Sequence, residues 1–406
     1  MLKKIKVQDL RLGMYIHEIC GSWMEHPFWK KSFKLSRQKD LDTLLECGIK
    51  ELWIDSAKGL DVEGQVETVS AERKDAEVET ALKRAVDHGS RPEVVQRVAM
   101  REELARAKRV QAKAKQAVIS MFAEARMGNA IKVEEADALV GEINDTIARN
   151  SDALLSLIRL KNADDYTYLH SVAVCALMIA LARQLGLDSA LTQKLGVAGL
   201  LHDVGKIFIP GEVLNKPGKL TDEEFATVKD HPRLGWEMLR KSDGIDEIAL
   251  DVCLHHHERV DGKGYPDHLS GEELSLFARM GAVCDVYDAI TSNRCYKAGW
   301  EPAEALRKMA EWKDGHFDEA VFQGFIKAVG IYPTGTLVKL KSGRLGVVIE
   351  QTPDNLLSPI VKVFFSTRTQ SPITQELVDL SKSPDGIANL EDPRKWGFDK
   401  NKLTGL

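Results

Sequence analysis

The chain has 406 residues, of which 44% are hydrophobic and 29% are charged, so it is long enough for two or three domains and its composition excludes wholesale disorder. The formal net charge of -5 gives no general attraction to nucleic acid, so a phosphate ligand would need a local basic patch. The 6 cysteines form no C-x-x-C pair and are too sparse for a disulfide scaffold, which favours a reducing compartment.

No apolar segment follows the basic residues at the start of the chain, so we expect no signal peptide. The longest purely apolar run, Val172 to Ala182, is much shorter than the ~20 residues of a membrane span. We interpret it as a buried core helix and expect a cytoplasmic protein without a membrane span.

Shifts in the hydrophobic pattern predict a mainly α protein with four regions. These are a small α+β module (1–59), a charged connector with a long amphipathic helix (60–129), an all-helical domain (130–330) and a small β module with the C-terminal tail (331–406). In the first region, β-like runs at Ile5–Val7 and Ile49–Ile54 flank a helical pattern between Ser36 and Gly48.

The connector ends in a segment, Glu93 to Met127, that contains neither Gly nor Pro and carries apolar residues at helical spacing. This pattern predicts one long helix. It is equally compatible with a helix packed on its own domain and with a signalling helix or a homodimer contact.

In the third region, almost every segment has a helical pattern. The clearest are Tyr168–Leu185, Ser189–Val204, Thr221–Leu239 and Glu273–Thr291. Thr221 and Glu224 have the spacing of a capping box, which places His231 on the following helix or at its end before Pro232. In the last region, the runs that predict strands are Leu337–Leu340, Val347–Glu350 and Ile360–Phe365.

Histidines and carboxylates flanked by core residues recur through the helical domain. They are His170, His202, Asp203, His231, His256, His257 and Asp285. A lone histidine on an apolar helix is more often a hydrogen-bonded core residue than a ligand. Because burying so many polar groups without partners costs several kcal/mol, a shared metal site explains the set better.

The donor types suit two divalent ions, with iron and manganese favoured and cobalt, nickel and zinc also compatible. Asp203 is the natural bridge between the ions. The hypothesis assigns His170, His202 and Asp285 to one ion and His231, His256 and His257 to the other. Such a centre is typical of phosphodiester hydrolysis by a hydroxide shared between the metals.

Four further residues are candidates for catalysis or phosphate binding. Lys206 follows His202 by one helical turn and is predicted to neutralise phosphate charge, with a surface ion pair as the alternative. Asp288 either orients the attacking water or makes a structural helix hydrogen bond. Arg294 and Lys297 supply the local basic patch and are predicted to bind phosphate rather than to form a solvated face.

These motifs resemble the HD-GYP family of phosphohydrolases. The name-giving pairs are His202-Asp203, within Leu-Leu-His-Asp-Val-Gly-Lys, and Gly264-Tyr265-Pro266, and the similarity covers about Asn162 to Lys297. The resemblance implies an α-helical HD domain, a metal centre and bacterial hydrolysis of cyclic di-GMP to pGpG or GMP. It also implies that Tyr265 lies in a substrate-side loop.

Two departures from the family pattern affect the predicted centre. Tyr166 stands where some members have a Glu that helps to hold a third metal, so two ions are expected. Three histidines precede Glu258 instead of two, and His255 is expected not to be a ligand. The N-terminal module resembles an uncharacterised domain that often precedes HD-GYP domains.

Two other functions are alternatives to this phosphodiesterase. One is an HD hydrolase of another nucleotide, which the Gly-Tyr-Pro motif argues against. The other is a non-catalytic cyclic di-GMP receptor that docks signalling proteins such as diguanylate cyclases, which the complete ligand set disfavours.

Overall fold

The computed structural model describes residues 1–19, 32–46, 49–62, 68–69, 73, 76, 80, 98–158, 166–216, 218, 220–292, 299–312, 315–352, 355–398 and 403. The prediction of a mainly α fold with a small β module at each end is confirmed. The chain divides into two compact units, the first within Met1–Ala81 and the second comprising Leu82–Lys216 and Leu220–Leu406.

The first unit is built on a five-stranded antiparallel sheet with the order β3-β2-β4-β1-β5. Its strands are β1 (Leu2–Lys6), β2 (Tyr15–Ile19), β3 (Phe33–Lys34), β4 (Glu51–Asp55) and β5 (Thr68–Val69). Ile5 lies opposite Leu52 across β1 and β4, and Leu44 of helix α1 (Gln38–Glu46) is buried in the same core. The sequence pattern predicted β1, β4 and α1 but not β2, β3 or β5, and the predicted helix end at Gly48 lies outside the described residues.

The second unit begins with two long helices, α2 (Met100–Arg126) and α3 (Val133–Ile158), which pack against each other. The helices that follow are α4 (Tyr166–Gln184), α5 (Ser189–Leu201), α6 (Gly211–Leu214), α7 (Asp222–Lys229), α8 (His231–Leu239), α9 (Glu247–His255), α10 (Leu276–Thr291), α11 (Pro302–Glu311) and α12 (Glu319–Val329). Short 3-10 turns lie at Val7–Asp9, Val204–Phe208 and Gly271–Glu273.

The long helix α2 contributes its buried face to the second unit. Its carboxylate Glu103 is 0% exposed and accepts a hydrogen bond from Nε of Arg149 in α3 at 3.0 Å. Next to this pair α3 is kinked, because Asn150 has the non-helical angles φ -161 and ψ 101. The side-chain amide of Asn150 donates to the carbonyl of Val98 at 2.9 Å, which fixes the chain just before α2.

Helix α4 is the central helix of the second unit and is buried along most of its length. The stretch Thr167–Gln184 is long and apolar enough, by length and composition, to cross a membrane. However, 78% of this stretch is buried inside the structure, which is the pattern of a core helix.

One predicted helix ends earlier than its sequence pattern indicated, and another is divided into two helices. The helix predicted over Ser189–Val204 stops at Leu201, and the pattern over Thr221–Leu239 is divided into α7 and α8 at Asp230. The predicted capping box of Thr221 and Glu224 is confirmed at the start of α7. His231 therefore begins a new helix, with Pro232 in its first turn, where a missing N–H is tolerated.

The C-terminal β module is a five-stranded antiparallel sheet with the order β10-β6-β7-β8-β9. Its strands are β6 (Leu337–Leu340), β7 (Arg344–Glu350), β8 (Ile360–Ser366), β9 (Ser371–Asp379) and β10 (Ile387–Leu390), and helix α13 (Pro393–Trp396) follows. The three predicted runs lie in β6, β7 and β8. The backbone N–H of Gln351 donates to Asp152 of α3 at 3.0 Å and joins this module to the helices.

Candidate metal centre

The predicted ligand side chains converge because helix ends and buried helix faces of the second unit point into one polar pocket. They are His170 on α4, Asp285 on α10, His231 at the start of α8, His202 and Asp203 immediately after α5, and His256 and His257 at and after the end of α9. The side chain of His257 is 9% exposed, and the others are fully or almost fully buried.

The donor atoms form two adjacent groups. One contains His170, His202 and Asp285, and the other contains Asp203, His231, His256 and His257; within each group the donor atoms lie within 4.8 Å of one another. In the first group, Nε2 of His170 lies 2.9 Å and Nε2 of His202 3.8 Å from Oδ1 of Asp285. Each group is compact enough for a single ion.

The carboxylate of Asp203 lies between the two groups. Its Oδ2 atom is 3.3 Å from Nε2 of His170 and 3.4 Å from Nε2 of His202. Its Oδ1 atom is 3.2 Å from Nε2 of His231 and 3.7 Å from Nε2 of His256. One oxygen therefore faces each group, which is the arrangement expected of a bridging carboxylate.

The histidine rings are oriented by acceptors behind them. Nδ1 of His202 donates to the carbonyl of Gly199 at 2.8 Å, and Nδ1 of His231 donates to that of Val228 at 2.7 Å. Nδ1 of His256 lies 3.0 Å from the carbonyl of Cys253. A proton on Nδ1 leaves the lone pair of Nε2 directed at the pocket, which is the form that binds a metal.

Unsatisfied polar atoms show that a cation fits this pocket. Nε2 of His202 and Oδ1 of Asp203 are buried and make no hydrogen bond in the part of the chain that the structure describes. Nε2 of His231 and Nε2 of His256 face each other at 3.3 Å. Two lone pairs at this distance repel each other unless a positive charge lies near them.

The ionisation of the side chains also favours a cation. Burial lowers the pKa of His257 to about 3 and that of His256 well below its usual range, so both rings are neutral. Burial opposes ionisation of Asp203, but the positive charge of Lys206 helps to hold the pKa of this carboxyl well below its usual range. Neutral imidazole and ionised carboxylate are the ligand forms that divalent transition metals require.

Comparison with known proteins identifies two domain families in the chain. Residues 144–321 match the family described as HD domain, and residues 2–136 match a domain of unknown function, DUF3391. The chain is 54% identical over 401 residues, 98% of this chain and 94% of the relative, to cyclic di-GMP phosphodiesterase PA4108 of Pseudomonas aeruginosa.

The chain belongs to the family of HD-domain cyclic di-GMP phosphodiesterases. The resemblance to the HD-GYP family that the motifs predicted is thereby confirmed. Another relative is the cyclic di-GMP phosphodiesterase response regulator RpfG of Xanthomonas campestris, 39% identical over 44% of this chain and 48% of the relative. A third is a 3'3'-cGAMP-specific phosphodiesterase of Vibrio cholerae, 36% identical over 34% of this chain and 27% of the relative.

In this HD-domain phosphodiesterase, Lys206 contacts the centre from a 3-10 turn and not from the predicted helix. The expectation that it shares a helix face with His202 is wrong, because α5 ends at Leu201 and Lys206 lies in the 3-10 turn Val204–Phe208. Its Nζ atom donates to Oδ2 of Asp203 at 2.5 Å. The turn requires Gly205, since a Cβ atom there would lie 1.9 Å from the carbonyl oxygen of His231.

The structure places Asp288 behind His170. Its Oδ2 atom accepts a hydrogen bond from Nδ1 of His170 at 2.6 Å, and the opposite ring nitrogen, Nε2, faces Asp203 and Asp285. The sequence alone gave no reason to pair this carboxylate with that histidine.

The loop with the Gly-Tyr-Pro motif lies against the centre. Tyr265 stacks on His257, with ring centroids 4.8 Å apart. Gly264 is required because a Cβ atom there would lie 2.3 Å from Cα of Glu258. Glu258 is buried and its Oε1 atom accepts from the backbone N–H of Asp267 at 2.7 Å, a loop contact that sequence reasoning missed.

The remaining predicted residues are His255, which the structure describes, and Arg294 and Lys297, which it does not. His255 is placed outside both donor groups, and its Nδ1 atom contacts Asp251 at 2.8 Å. Arg294 and Lys297 lie within residues 293–298, outside the described part of the chain.

Proposed function

We propose that this protein hydrolyses cyclic di-GMP to pGpG, GMP or both, using two divalent metal ions. The observation that carries the proposal is the position of Asp203, with one oxygen toward each group of imidazoles. The 54% identity to a cyclic di-GMP phosphodiesterase over nearly the whole chain supports the choice of substrate.

The ligand sets proposed for the ions follow the two donor groups. His170, His202 and Asp285 would hold one ion, His231, His256 and His257 would hold the other, and Asp203, with one oxygen toward each group, would contribute to both. Iron and manganese suit this mixture of imidazole and carboxylate, and cobalt, nickel and zinc are compatible with it. When bound, such ions activate water at neutral pH and withdraw charge from the phosphoryl oxygens.

The protein's own residues orient and neutralise the reacting groups. Asp288 holds His170 through Nδ1, so that its other nitrogen stays directed at the centre. Lys206 lies against Asp203, and its positive charge is proposed to neutralise the negative charge that develops on the phosphate. Tyr265 stacks on His257 and is proposed to border the substrate side of the centre. Arg294 and Lys297 are proposed to bind substrate phosphate.

The proposal is tested with purified protein loaded separately with iron and with manganese. A time course of product formation from cyclic di-GMP is expected to show pGpG, GMP or the two in succession. Binding of cyclic di-GMP by metal-loaded protein without turnover would instead support a receptor function.

A second candidate substrate is 3'3'-cGAMP, because two relatives are named as specific for it. The same assay with equal concentrations of both dinucleotides decides between them. The higher kcat/KM identifies the substrate, and we expect it for cyclic di-GMP, because the relative that matches nearly the whole chain is named for this substrate.

The cellular setting is also a proposal. A second-messenger substrate is consistent with a cytoplasmic location, as are the free buried cysteines Cys175, Cys253 and Cys284. Diguanylate cyclases, which make the substrate, are the partner class that we expect, and a homodimer is a further expectation. Co-purification with a tagged cyclase and a measured mass in solution test these two expectations.

A further inference from the structure

A half-buried lysine lies beside the metal centre and is not one of its ligands. Lys229 is the last residue of α7, and its Nζ atom lies 4.6 Å from the ring centroid of Phe225, one helical turn earlier. The same atom lies 5.5 Å from the ring centroid of Tyr265. Because Tyr265 stacks on His257, one aromatic ring separates the ammonium group of Lys229 from a proposed metal ligand.

The charge of Lys229 is not neutralised by a carboxylate within the described residues, whereas Lys206 is paired with Asp203 and Lys216 with Glu224. Aromatic rings hold an ammonium group by cation–π attraction but leave its N–H donors available. Lys229 is therefore a cation with donors left to bind an anion at the rim of the centre.

Helix α7 presents this lysine from a fixed position. Its first turn is held by the capping box of Thr221 and Glu224, and Glu224 also accepts a hydrogen bond from Lys216 at 2.6 Å. The ring of Phe225, on the same helix face, contacts the ammonium group of Lys229. The two rings restrict where the ammonium group lies, which favours a binding role over a solvated surface lysine.

A cyclic dinucleotide contains two phosphodiester groups in one ring, and only one of them can occupy the metal centre during cleavage. The other keeps a full negative charge and must lie to one side. We propose that Lys229 binds this second phosphate and so contributes to the recognition of a cyclic dinucleotide. The inference rests on the proposed function, since it takes the substrate from it.

The test compares two substrates in the metal-loaded full-length protein. Cyclic di-GMP has two phosphates, whereas bis(p-nitrophenyl) phosphate has one and engages the metal centre alone. Lys229→Met keeps the apolar stem over the rings and removes the charge, and Lys229→Arg keeps the charge. Lys241→Met, on an exposed lysine beyond the end of α8, is the matched control.

In Lys229→Met, KM for cyclic di-GMP is expected to rise about 10- to 100-fold, the loss of one hydrogen bond to a charged group, with kcat nearly unchanged. Hydrolysis of bis(p-nitrophenyl) phosphate should not change. KM for cyclic di-GMP should also depend less steeply on salt, because one screened charge is gone. Lys229→Arg should recover most of the lost affinity, and Lys241→Met should match the wild type.

Four outcomes would overturn the inference. KM for cyclic di-GMP could be unchanged in Lys229→Met, or both substrates could lose activity equally, which would show a structural role. A loss of kcat alone would place the lysine at the cleaved phosphate. If the wild type hydrolysed bis(p-nitrophenyl) phosphate but not cyclic di-GMP, the proposed function would fall and this subsite with it.

Discussion

Nδ1 of His170 lies 2.6 Å from Oδ2 of Asp288, and this contact fixes which nitrogen of His170 faces the metal centre. The two residues lie on different helices, α4 and α10, so the contact also ties the ligand to the helix that carries Asp285. A carboxylate behind a histidine is a common way to orient a metal-binding ring and to raise its basicity.

Asp288→Asn is expected to weaken metal binding by about 10- to 100-fold, because the amide keeps the shape of the side chain but loses the charge behind His170. Metal retained after dialysis against graded chelator concentrations measures this. Asp251→Asn is the control, since it alters the same kind of contact at His255, outside the donor groups. Equal metal retention by both variants and the wild type would contradict the role given to Asp288.

Glu103 joins the two long helices at the start of the second unit. Glu103→Ala leaves Arg149 without its buried partner, so we expect the free energy of unfolding to fall by about 2–3 kcal/mol. Urea unfolding followed by circular dichroism measures the change. Glu102→Ala, at the exposed neighbouring position, should alter stability little. A change below about 0.5 kcal/mol in Glu103→Ala would mean that the ion pair does not stabilise the helix pair.

His316 should make stability depend on pH. Burial, assisted by Arg259, lowers its pKa from 6.5 to about 3, and the ring stacks on Phe317 at 4.3 Å. The unfolded chain therefore binds a proton at His316 below about pH 6.5, whereas the folded chain does not. The contribution of His316 to the free energy of unfolding is therefore complete above that pH and is lost as the pH falls toward 3.

Between about pH 7 and pH 5, His316 should reduce the free energy of unfolding by about 2 kcal/mol. In His316→Phe this part of the pH dependence is expected to disappear. Urea unfolding of both proteins at the two pH values gives the difference, in which effects of the metal centre common to both proteins cancel. Equal pH dependence of the two proteins would show that His316 is protonated when folded.

The sequence predicted the helical domain and the strands with strongly apolar patterns, because buried helices and strands carry apolar residues at regular spacing. It did not predict β9, because residues Ser371–Asp379 are mostly exposed and lack such an apolar pattern. The end of α5 at Leu201 was missed because it depends on the close approach of Gly205 to His231, a contact between distant parts of the chain.

In the candidate site, too, the sequence predicted some features and missed others. Imidazole and carboxylate groups beside core residues are visible in the sequence, and their assignment to two groups agrees with the distances around Asp203. The contact of Asp288 with His170 was not visible, because it depends on how α4 and α10 are rotated relative to each other. The place of Lys229 likewise depends on the loop that brings Tyr265 to α7.

The most direct measurement is the metal content and cyclic di-GMP turnover of the wild type and of Asp203→Ala, purified in parallel without oxygen. Because Asp203 faces both donor groups, we expect about two ions per wild-type chain and the loss of metal and of turnover in the variant. An active wild type with a single ion, or a variant that keeps both its metal and its turnover, would contradict a centre built around Asp203.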